Sequence, residues 1–213
     1  MKKSICLSIL IIFPFILWGQ EKAGSSLEQQ MLEMYDKDQA IRVSYDSIMR
    51  VWAGKEEQKE KSDSVLAIYR EIDRSNQSFL ANILDSIGWP TDFSFKGNMA
   101  IFMIIQHSGK DYMAKYAPLI EQKYETGIIV PSLYAIFKDR LLMRDGKKQL
   151  YGSQIYNGYV WPIEDEDNVD KRRSKMDLIP IQDYIDSFRK NGISIIWKKD
   201  MTVDEISKIK LKK

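Results

Sequence analysis

The chain has one histidine, His107, and proton transfer near neutral pH would fall to it. It closes an apolar run, Met99-Ala100-Ile101-Phe102-Met103-Ile104-Ile105. That run predicts a buried helix, whose C-terminal dipole favours imidazolium over imidazole at His107. As general acid or base, His107 would be oriented by Asp139 or Asp38. Arg140 or Arg172 would stabilise developing negative charge. The plainer alternative is a core or boundary histidine satisfied by one hydrogen bond. Asp38, Arg42, Asp73, Asn76, Asp139 and Arg140 also stand within otherwise apolar stripes. Buried charges are costly unless paired, so these residues are expected either to pair or to line a cleft.

Other chemistries find less support. The single cysteine, Cys6, precedes the globular part, so thiolate nucleophiles and cysteine-ligated zinc are not expected. The acidic run Glu164-Asp165-Glu166-Asp167, with Asp170 after it, lacks the glycine and alternating spacing of a calcium loop. It reads as a solvated loop capping the next helix, and no metal or cofactor is expected. Gly152-Ser153-Gln154 lacks the second glycine of a nucleophile elbow, and glycine-rich phosphate loops are absent.

The elements that must position these side chains are mostly helical. Ser26 with Gln29 forms a capping-box pattern, and the stripe Leu27, Met31, Met34, Ile41, Tyr45, Ile48, Trp52 follows at steps of three and four or their multiples. Asp38 falls where that stripe expects an apolar residue, with Arg42 one turn on. Gly54 ends the pattern and Lys55 to Ser62 reads as solvated. A second helix runs to Ile87 with Val65, Ile68, Tyr69, Ile72, Phe79, Leu80, Ile83, Leu84 and Ile87 inward, until Gly88 and Pro90 stop it. The apolar helix spans Asn98 to Ser108, with Gly97 before it and Gly109 as its C′ residue. Further helices are predicted over 111–125, 131–144, 168–176, 181–190 and 204–210. Ile155-Tyr156, Asn157-Gly158 and Tyr159-Val160 give a two-residue hairpin, and 193–197 an edge strand. The fold class is mainly α: a compact domain of about six helices with one small β-hairpin.

Lys2 and Lys3, the apolar run to Trp18 and the small residue Gly19 read as a signal peptide over residues 1–20. The run is too short for a membrane span, which needs about 20 apolar residues. Residues 21–213 are then one exported domain, periplasmic or extracellular, with no stable membrane anchor. The chain has 32 basic and 30 acidic residues, and removing Lys2 and Lys3 balances them. Nothing in that balance pulls toward nucleic acid.

The combination Asp38-Gln39-x-x-Arg42, Asp73-x-x-Asn76, Gly88-Trp89-Pro90, Gln106-His107, Asp139-Arg140, Gly146-x-x-Gln149, Tyr151-Gly152-Ser153-Gln154, Pro162-Ile163-Glu164-Asp165, Val169-Asp170-x-Arg172-Arg173 and Tyr184 resembles an uncharacterised bacterial domain family of unknown function. Ser153 stands where threonine is more usual, which keeps the hydroxyl. The resemblance implies that His107, Asp139, Arg140, Gln149, Tyr151, Gln154, Arg172 and Arg173 act together. It implies no chemistry, and residues 55–62 and those after Lys190 fall outside the pattern. Three readings follow. The first is a binding module with a polar pocket around His107, Asp139 and Arg140 for a small anionic ligand or an envelope peptide. The second is a hydrolase or transferase on an envelope substrate using His107. The third is a buried polar network with a structural role only.

Overall fold

The structure, a computed structural model, describes residues 26–52 and 55–209. The expected leader, Gly54 and residues 210–213 lie outside them. The described residues contain eight α-helices and one two-stranded antiparallel sheet. They form two compact units, one ending at Ile129 and one starting at Val130.

The N-terminal unit is helical. α1 (Ser26–Val51), α2 (Gln58–Ser86) and α3 (Phe95–His107) pack on one another, and α4 (Lys110–Glu125) packs on α3. α3 is apolar on nearly every side, and Ala100, Ile101, Phe102, Ile104 and Ile105 are all buried, as expected of a central helix. Met31, Leu80, Met113 and Ile120 from the other three helices complete the core.

Local chemistry moves several boundaries. Ser94 caps α3 by accepting from the Gly97 amide at 3.2 Å, so Gly97 lies inside the first turn rather than before it. The buried Glu28 carboxylate packs on that turn, accepting from Ser94 N at 2.8 Å, and a Cβ on Gly97 would collide with it. Gly109 has φ −65 and is the N-cap of α4, not a left-handed end of α3. Instead Ser108 closes α3 by donating to the Ile104 carbonyl at 2.6 Å. Gln58 to Ser62, expected as loop, is the first part of α2. Its lysines and glutamates are good helix formers, and Lys59 pairs with Asp63 one turn on. Ile68 and Ile87, expected inward, are more than half exposed.

The C-terminal unit begins with α5 (Pro131–Arg144), started by Pro131 and ended at Gly146 with φ +68. The hairpin pairs β1 (Ile155–Tyr156) with β2 (Tyr159–Val160). Asn157 and Gly158 both take positive φ, the requirement of its tight turn. A 3-10 turn over Glu166–Asn168 leads into α6 (Val169–Ser174), followed by α7 (Ile181–Lys190) and α8 (Val203–Ser207). Ile155, Val160, Ile163, Val169, Ile181, Ile185, Phe188 and Ile195 form the core. The edge strand expected over 193–197 is reduced to one bridge, Tyr159 to Ile196.

Candidate functional site

In the N-terminal unit the structure gathers Asp38, Arg42, Asp73 and His107. Asp38 and Arg42 lie one turn apart on α1, so the guanidinium folds back onto the carboxylate. Arg42 Nη2 donates to Asp38 Oδ1 at 2.5 Å and Nε donates to Oδ2 at 2.9 Å. On α2, Asp73 accepts from Arg42 Nη2 at 2.9 Å. Tyr69, one turn earlier, accepts from Nη1 and sets its ring under the guanidinium, 4.6 Å from its carbon. At the end of α3, His107 Nδ1 lies 3.1 Å from Asp38 Oδ2. Gln39 also donates to that oxygen at 2.8 Å. Burial would raise the Asp38 carboxyl, but the hydrogen bonds and positive charge of His107 and Arg42 outweigh it and hold the group down at about 2. The His107 side chain is 7% exposed and that of Asp38 2%. This cluster ties α1, α2 and α3 together, and its imidazole is oriented by Asp38. Asn76 makes a separate tie, donating to the Met34 carbonyl at 3.4 Å.

The C-terminal unit gathers the other candidates around one loop, residues 149–154. Asp139, fully buried on α5, turns its carboxylate to the loop backbone. Oδ1 accepts from Leu150 N at 2.7 Å and Tyr151 N at 3.0 Å. Oδ2 accepts from Ser153 N and Ser153 Oγ, each at 2.9 Å. Burial pushes this carboxyl up, against hydrogen bonds that favour the anion. Gln149 works as a side-chain strand. Its Nε2 donates to the Trp161 carbonyl at 2.7 Å and to that of Gln154 at 3.1 Å, while Oε1 accepts from Gln154 N at 2.8 Å. Arg140 Nε donates to Gln154 Oε1 at 3.2 Å.

The arginine pair grips carbonyls. Arg172 Nε donates to Leu150 O at 2.8 Å, and its Nη2 donates to Asp165 O at 2.9 Å. Arg173 donates to Tyr151 O and to Ile179 O, both at 2.6 Å, and lies over the Tyr184 ring at 5.1 Å. The Tyr184 hydroxyl donates to Ser153 O at 3.0 Å, and burial pushes it up to about 12 although Arg173 and Arg140 pull the other way. Tyr151 enters through its backbone N–H and carbonyl. Gly152 sits at the centre with φ +72. A Cβ there would lie 2.6 Å from Ile181 Cδ1 and 2.9 Å from Ile163 Cδ1. The loop is thus held by α5, α6 and α7 at once.

The acidic run is occupied in the same manner. Asp165 accepts from Arg172 and Asn168, Glu166 from the Asp200 amide, Asp167 from Lys199, and Asp170 from the Ile181 amide. Two grooves on the N-terminal unit, of about 380 and 550 Å³, lie beside Trp89 and Trp52 and are lined by none of the candidate residues. Sequence reasoning did not mark Tyr69 as part of these networks, although its place one turn before Asp73 was a usable signal, and Ser153 entered only through the Tyr151-Gly152-Ser153-Gln154 motif.

The model of a family of unknown function (DUF6624) matches residues 25–193, and the chain belongs to that family. No curated protein and no solved structure matches.

Proposed function

We propose that this member of the DUF6624 family is an exported, non-catalytic binding module that takes an extended peptide. The observation that carries the reading is the investment in the loop 149–154. One buried carboxylate, two arginines and a tyrosine hold its backbone from three helices. Fixing a loop before binding removes an entropic cost of association, which is how a preorganised recognition surface gains affinity. The peptide is favoured over a small anion because Arg173 and the Arg172 Nε and Nη2 donors are directed at backbone carbonyls, while Arg172 Nη1 is already paired with the Asp165 carboxylate at 3.2 Å.

The residues expected to do chemistry have other employment. Asp139 organises a backbone, and His107 is nearly sealed beside Asp38. The rival reading, a general acid or base at His107, draws on the 3.1 Å contact to Asp38. The test uses residues 21–213, selected against a random displayed peptide library and assayed on ester, phosphoester and peptide substrates. The expected result is a peptide consensus whose binding weakens in Asp139→Asn, with no turnover. Turnover abolished by His107→Gln in a protein of unchanged fold would replace this reading with the enzymatic one. Export is checked by the N-terminus of the protein recovered from the source cells, which should begin at Gln20 or Glu21.

A further inference from the structure

Resting on the binding reading above, we infer that residues 194–209 are a displaceable strap along β2 and Trp161, and that this seat, joined to the 149–154 loop through Gln149 and Trp161, is where the peptide partner binds. The family match ends at residue 193, so the strap lies beyond the shared domain, yet it covers the edge of β2 and the Trp161 ring. Its extended start adds to the free side of β2. Ile196 N donates to Gly158 O and Val160 N donates to Ile196 O, each at 2.9 Å. An uncovered strand edge of this kind is a template for an added strand. The rest of the strap lays Met201 and Ile206 against Trp161, with Met143 and Tyr156 beside them. α8 is closed by its own capping box from Thr202 and Glu205.

Two features mark the strap as a stand-in. First, its fit is imperfect. Asn157 Oδ1 and Trp197 Nε1 are buried at this seam without a hydrogen-bond partner, a costly arrangement inside a finished core. Second, apart from the Ile196 pair and a bond from Asn157 Nδ2 to Ile209 O at 2.9 Å, its polar attachments lie at the exposed acidic run: Lys199 pairs with Asp167 at 3.0 Å, and the Asp200 amide donates to Glu166 at 3.1 Å. The partner that fits this seat is an extended segment with apolar residues at alternate positions, as Ile195 and Trp197 are placed, followed by an apolar helical turn.

Native-state hydrogen exchange of the full chain tests the strap without any substitution. The Val160, Ile196 and Ile206 amides should open together, at least about tenfold more readily than Trp161 N, which bonds within the unit to Gln154 O at 2.9 Å. Equal protection at all four would mean that the strap opens only with the whole unit and would overturn the inference. The second arm is Ile206→Glu in the full chain, with a synthetic peptide of residues 194–209 as probe. The peptide should bind this variant at least about tenfold more tightly than the parent. Failure to bind the variant, or loss of its cooperative melting, overturns the inference. If library peptides bind the parent but the 194–209 peptide does not displace them, the binding reading stands and the strap falls alone.

Discussion

Replacing Asp139 with asparagine isolates the interaction on which the 149–154 loop depends. The side chain is fully buried, and an amide offers one acceptor oxygen where the carboxylate offered two. If the NH₂ replaces Oδ2, Ser153 N loses its acceptor, while Ser153 Oγ can rotate to accept from the new amide. If it replaces Oδ1, Leu150 N is orphaned, and Tyr151 N can move to Oδ2, already 3.2 Å away. Either way one buried backbone N–H is left without a partner, at about 1–3 kcal/mol, and the remaining bonds lose charge assistance. The expected loss is about 2–4 kcal/mol. Urea denaturation at pH 7 gives the total. Hydrogen exchange at Leu150, Tyr151 and Ser153 gives the local part, which 2–4 kcal/mol converts to roughly thirty- to a thousandfold faster opening. A variant within about 0.5 kcal/mol of the parent would refute the reasoning. It would mean that the carboxyl is already neutral, or that the loop is held by the arginines alone.

Arg42→Met removes the cation between Asp38 and Asp73 and should cost about 3–5 kcal/mol in a thermal melt, the range for breaking a buried pair. The Asp38 carboxyl is depressed in the fold, so its contribution is present above its ordinary 3.8 and lost as pH falls from there toward about 2. That gap corresponds to about 2 kcal/mol, and urea midpoints between pH 5 and pH 2 should show it in the parent and not in Asp38→Asn. Gly152→Ala should cost more than about 2 kcal/mol, through positive φ and collision with Ile181 and Ile163. Gly192→Ala, with φ +75 but open space around it, should cost about 1 kcal/mol by the same melt.

Local chemistry made much of the fold legible. Pro131 and Gly146 delimit α5 because one presets φ and the other accepts a left-handed end. Asn157-Gly158 fixes the hairpin because both residues tolerate positive φ. Glycines gave the wrong boundary where close approach, not φ, selected them, as at Gly97 against Glu28. The polar residues were identifiable as anomalies in apolar stripes, and Arg42 as the partner of Asp38 one turn before it, but their partners on other elements were not. A stripe says which face of a helix is buried and not which carboxylate of another helix meets it, so Asp38 and Asp139 stood equal as partners for His107. Asp139 was harder still. Its partners are backbone amides of a loop, which every sequence supplies and none advertises. For the same reason the arginine pair looked like an anion site.

The spans of the two networks also differ, and this bears on the order in which the chain folds. Asp139 reaches amides 11 to 14 residues away, and the Arg172 and Arg173 bonds to the loop span 22. Such short closures cost little loop entropy and are available to an early nucleus. His107 meets Asp38 across 69 residues, so that contact can form only after α1 and α3 have docked. Substitutions at Asp139 should therefore slow refolding, whereas those at His107 should leave refolding unchanged and hasten unfolding. The loop clamp thereby sets how quickly the C-terminal unit is made, and the histidine sets how long the helical unit lasts.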